Sequence, residues 1–205
     1  MSNINPDIAV LSTAYLPPIE YFSFLNKNKS VQIDFFENYI KQTYRNRCCI
    51  YAANGKLTLS IPVKKVDGNH TRVKDIEIDH NQPWQKLHWR AIESSYNSSP
   101  FFLYYRYELE PFYQKQYKFL IDINRELLAL LCALIGIKTE INYSKEYIEP
   151  TSAIIDMRNA FSPKKQGTLF LKDYKQVFDD KFGFIPNLSI IDLLFNEGKL
   201  SRELL

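Results

Sequence analysis

The chain has 205 residues, enough to bury a substantial core within one domain. Hydrophobic residues make up 45% and aromatics 15%, which excludes a disordered chain, because such chains lack the surface that offsets ordering entropy. A formal net charge of +3 excludes the strong uniform field of a dedicated nucleic-acid or anionic-membrane binder, while tolerating a local anion site.

Residues 1–10 carry neither the basic start nor the long apolar core of a signal peptide. Residues 127–137, the longest strongly apolar stretch, are too few to span a bilayer. A cytoplasmic location without membrane insertion is therefore expected. Residues 8–14 read as a strand ended by Pro17-Pro18, with a short helix over 19–26 and a second strand over 31–35. Residues 45–53 and 56–63 flank Asn54-Gly55, the preferred filling of a type I′ turn, and predict a hairpin. Its first strand holds Cys48 and Cys49; with Cys132 these make three cysteines, read as small buried hydrophobes rather than disulfide or zinc partners.

After a polar loop over 65–72, alternation over 73–78 predicts a third strand of the meander. Helices are expected over 83–96, over 101–114 with a kink at Pro111, and over 117–135 with Gly136 as its cap. Alternation returns over 137–143, residues 150–167 read as irregular, and 170–182 as helical. A last helix over 190–196 is expected, with Ser189 as N-cap and Asp192 answering it as in a capping box. Strands gather early and helices late, which predicts one α+β domain over 1–205: an N-terminal antiparallel or mixed sheet packed against C-terminal helices.

No glycine-rich phosphate loop, H-E-x-x-H, C-x-x-C or G-x-S-x-G motif occurs. Four segments hold the polar candidates. Tyr15 lies beside Pro17-Pro18, where a strand exit exposes side chains; a rigid turn packed with aromatics is the plainer reading. Lys41, Arg45, Asn46 and Arg47 form a basic run suited to phosphate or carboxylate, or else a solvated strand edge. His88 shares a helical stripe with Trp84 and Ile92, which suits a core histidine as well as a general base. Asn187, Ser189 and Asp192 surround a helix start, able to hold an anion or simply to cap the helix. His70 and His80 have no partners at metal spacing, and neither a metal nor a cofactor is indicated.

On these segments the chain resembles the WbqC-like family, in a Bacteroidetes-type branch. The aromatic run over residues 15–22, Tyr39-Ile40-Lys41 with Asn46-Arg47, Trp84 with His88, and residues 188–195 are similar to its pattern, in the right order. Ser12-Thr13-Ala14 and Glu20 depart from it. The family name comes from surface-polysaccharide gene clusters. The resemblance implies an enzyme of that metabolism or of nucleotide-sugar metabolism, a group transferase on an activated, anionic small-molecule precursor. Within that reading Lys41, Arg45 and Arg47 bind the anion with Tyr15, Asn187 and Ser189, Asn46 polarises a carbonyl, and His88 or Asp192 acts as base. A non-catalytic interaction module is the alternative, because Tyr104, Tyr105, Arg106 and Tyr107 are typical interface anchors.

Overall fold

The structure is a computed structural model that describes residues 8–165 and 172–205. The first strand, β1 (Ile8–Ser12), is a near-continuous apolar run buried along most of its length, as a strand covered on both faces requires. Pro18 precedes α1 (Ile19–Lys27), which returns the chain to β2 (Ser30–Asp34). β1 and β2 pair in parallel, with Ala9 opposite Val31 and Ser12 opposite Asp34. The hairpin follows as β3 (Arg47–Ala52) and β4 (Gly55–Ser60), an antiparallel ladder of its own.

Its turn differs from the expected one. Ala52 pairs with Gly55, so Ala53 and Asn54 form the bend, and the positive φ of +95° falls on Gly55. A type I′ turn needs two positive φ values; here glycine supplies one, at the position that leaves the bend. Residues 73–78 also differ: a 3₁₀ turn, Val73–Asp75, takes half of them. Only β6 (Glu77–Ile78) is extended, and it pairs with β5 (Val63–Lys64) rather than extending the hairpin. Val73, Ile76 and Ile78 are buried, so the alternating pattern reported burial and not backbone.

Helix α2 (Trp84–Tyr96) ends at the expected break, α3 (Phe102–Leu109) runs into a 3₁₀ turn at Pro111, and α4 (Leu120–Ile135) ends on Gly136 at φ +84°. β7 (Glu140–Tyr143) joins β2 in parallel. Within the stretch read as irregular, β8 (Ile154–Asp156) joins the free side of β1, again in parallel. Of the helix expected over 170–182, only α5 (Asp179–Phe182) forms, while residues 170 and 171 lie outside the described residues. The last helix, α6 (Ile190–Glu197), is buried nearly all round.

The make-up is α+β, with a parallel sheet in the order β7-β2-β1-β8, two short antiparallel ladders and the helices of the later half. From β1 the chain moves outward to β2 and β7, then returns to the opposite side of β1 with β8. Open parallel sheets take their ligands at the carboxyl edge of the strands, beside such a reversal. All three cysteines are buried with free thiols. Among the described residues no helix is long and apolar enough to cross a membrane.

Candidate functional site

The carboxyl ends of the parallel strands are held together by charge. Asp34 ends β2 fully buried, and its carboxylate accepts from Phe36 N–H (2.8 Å), Ser144 Oγ (3.0 Å) and Arg158 Nη1 (2.7 Å). Arg158 leaves β8 two residues beyond its end and spends the rest of its fork on Asp156, at 3.0 and 2.6 Å, and on the Ile148 carbonyl. Arg158 holds the Asp156 carboxyl below its ordinary value, and the pairing drives the guanidinium's own value up. A second fork, from Arg45, grips both oxygens of Glu37 at 2.9 and 2.5 Å. Burial pushes the Glu37 carboxyl upward, and the Arg45 fork acts against that push.

Of these groups, Glu37, Asp156 and Arg158 line an open cleft of about 550 Å³. Asn38, Arg72, Tyr147 and Glu149 line it with them. The guanidiniums of Arg158 and Arg72 stand 5.0 and 5.8 Å from the centre of the Tyr147 ring. Arg72 donates to the Phe36 carbonyl and has no carboxylate within ion-pair distance among the described residues. The cleft therefore offers carboxylate acceptors, one aromatic ring and one cation not neutralised by an acid. Among the described residues no cluster of three or more His, Cys, Asp or Glu is placed to hold a metal.

The residues singled out from sequence lie mostly elsewhere. His88 is buried, and its Nδ1 shares a hydrogen bond with the Tyr15 hydroxyl at 3.0 Å. Tyr15 in turn meets the Tyr113 hydroxyl at 2.9 Å. Burial lowers the His88 pKa to about 4, so its ring is neutral at pH 7. Asp192 is fully buried and accepts from Tyr96 (2.8 Å), Tyr174 (2.5 Å) and Gln176 (2.9 Å). Burial raises its pKa.

Ser189 occupies the N-cap position, but its Oγ donates to the Leu16 carbonyl, and no side chain closes a capping box. With Asp192 committed to the two tyrosines, that expectation fails in its details. Asn187, at φ +55°, bonds Glu20 through both ends of its amide, the Glu20 N–H at 3.0 Å and the carboxylate at 3.1 Å. The first and last candidate segments are thus brought together, as a seam between the Pro17-Pro18 turn and α6. Asn46 is buried and donates to the Ile61 carbonyl. Arg47 is half-buried, with Nε lacking a hydrogen-bond partner among the described residues. Lys41 is exposed, directly after the cleft residue Ile40.

Of these candidates, Arg45 reaches the cleft wall through Glu37, while Tyr15, His88, Asp192, Asn187 and Ser189 do not line it. Asp34, Glu37, Arg72, Asp156 and Arg158 escaped the sequence reading. Asp34 alone carried a signal, an acid closing an apolar strand.

Residues 13–168 match the model of the WbqC-like protein family. The uncharacterized protein Rv1507c of Mycobacterium tuberculosis is 29% identical over 220 residues, covering 93% of this chain and 94% of its own length. No solved structure matches. With the family pattern beginning directly after β1 and running past β8, over most of the chain, the chain belongs to the WbqC-like protein family.

Proposed function

We propose that the chain is a cytoplasmic enzyme of surface-polysaccharide or nucleotide-sugar metabolism, transferring a group to or from an activated sugar precursor bound in the cleft. The observation that carries this reading is the cleft's position at the reversal point of a parallel sheet, with carboxylates of unlike environment on its walls. Asp156 and Glu149 accept hydrogen bonds from substrate hydroxyl or amino groups, and Tyr147 packs against a sugar face. Arg72, with Lys41 beyond it, meets the anionic part. Glu37, raised by burial, is the proton acceptor. In this reading Arg45 positions Glu37, while the Tyr15–His88 and Asp192 networks hold the scaffold.

Thermal-shift screening tests it with nucleotide sugars, sugar phosphates and acyl-coenzyme A species, on the wild type and on Arg72→Ala and Asp156→Asn. A ligand that binds only the folded chain raises the melting temperature. A rise lost in both variants supports the cleft. A rise that survives in both overturns it.

One observation favours the alternative of an interaction module. Tyr104 and Leu200, both more than half exposed, line an apolar hollow of about 230 Å³, and Leu103 and Tyr107 beside Tyr104 in sequence are as exposed. Concentration-dependent assembly that Tyr104→Ser abolishes, with no ligand found, would favour it.

A further inference from the structure

The opposite end of the sheet carries a second concave feature. Where β2 and β7 begin, a hollow of about 300 Å³ is lined by Lys27, Lys29, Lys138 and Arg202, with Asn26 and Thr139 between them. The four cations come from three distant parts of the chain and are exposed. None has a carboxylate within ion-pair distance among the described residues: Lys27 bonds Ser23 Oγ at 2.9 Å, and Arg202 reaches Asn26 Oδ1 at 3.4 Å. No acid lines the hollow, and the neighbouring Glu140 carboxylate is turned to Asn142.

The plainer account is that these cations answer helix dipoles. α1 ends at Lys27, and Arg202 Nη1 lies 4.0 Å from where a β-carbon on Gly136, the cap of α4, would stand. Two helix C-termini supply about half a negative charge each. Against four cations that leaves most of the positive charge uncompensated, gathered in a concavity.

We infer that this hollow is an anion site for a soluble ligand bearing adjacent phosphoryl groups. Several cations and an amide around a small concavity suit a diphosphate, which offers many acceptor oxygens. Its lining has no apolar side chain that would enter a bilayer, which separates it from a lipid-headgroup surface. It is also distinct from the cleft, because five-residue β2 runs between them and sets them about 17 Å apart.

The test is isothermal titration of the full chain with inorganic pyrophosphate at fixed ionic strength. The variants are Lys29→Gln/Lys138→Gln, whose exposed side chains make no hydrogen bond or ion pair among the described residues, and the cleft variant Arg72→Ala. Saturable binding is expected, weakened about tenfold or more in the double variant and unchanged in Arg72→Ala. No saturation up to about 10 mM, or equal affinity in the double variant, overturns the site. Loss in Arg72→Ala alone moves the anion to the cleft and also overturns it. Flotation with phosphatidylglycerol vesicles is the second arm: capture that depends on Lys29 and Lys138, without pyrophosphate binding, would overturn the soluble class.

Discussion

A histidine on an apolar helical stripe is ambiguous in sequence, and at His88 the surroundings decide what it does. Trp84 and Ile92 are buried beside it, the Tyr15 hydroxyl is hydrogen-bonded to Nδ1, and the ring stays neutral because burial penalises its charged form. Below pH 6.5 the unfolded chain takes up a proton at this position that the native chain refuses until about pH 4. The stabilisation is therefore complete above about 6.5 and lost as the pH falls toward 4. At 1.36 kcal/mol per unit it is worth about 3 kcal/mol. Urea midpoints at pH 7 and pH 4.5 should fall further for the wild type than for His88→Gln; equal falls would mean that the ring is not held neutral. Tyr15→Phe leaves both His88 Nδ1 and the Tyr113 hydroxyl without this partner. It should cost about 1–3 kcal/mol in thermal unfolding at neutral pH.

At the scale of elements, glycines mark where the backbone leaves the ordinary regions. Gly55 has φ +95° with open space where a side chain would go, so Gly55→Ala costs only the backbone strain, about 1–2 kcal/mol. Gly198, at φ +58° and ψ −129°, stands where a β-carbon would meet the Phe101 ring at 2.9 Å. Gly198→Ala should therefore lower the melting temperature more than Gly55→Ala; the reverse order would show that Phe101 yields freely. The same local rules explain which elements the sequence revealed. Helices α2 and α4 have long apolar stripes with a proline or glycine at one end, and the hairpin has an apolar run and an alternating run around a glycine. β8 has three residues, partly exposed, and its partner strand lies more than a hundred residues earlier, so no local pattern announces it. Asp192 looked like a capping residue because spacing shows position on a helix but not the tyrosines packed above it.

Across the whole molecule, the ion pair that closes the sheet also sets the cleft's lining, through Arg158. Asp34 and Arg158 are 124 positions apart, and their pairing arises only when β8 docks on β1 and brings both strand ends to one edge. This is why the candidate cleft was hidden from the sequence while the family motifs were not. The motifs are local runs, many of them core and seam, whereas the cleft is made by chain reversal. The cost of breaking the pair follows from its burial. Both side chains are nearly inaccessible, and an isolated carboxylate at that depth loses its counter-charge without regaining water. Arg158→Met should therefore destabilise the fold by about 3–5 kcal/mol. Asp34→Asn combined with Arg158→Met should recover part of that loss, since no charge is then stranded. Denaturant melts of the two variants separate the cases. A double variant no more stable than the single one would mean that the guanidinium's ties to Asp156 and the Ile148 carbonyl, rather than its charge against Asp34, hold β8 in the sheet.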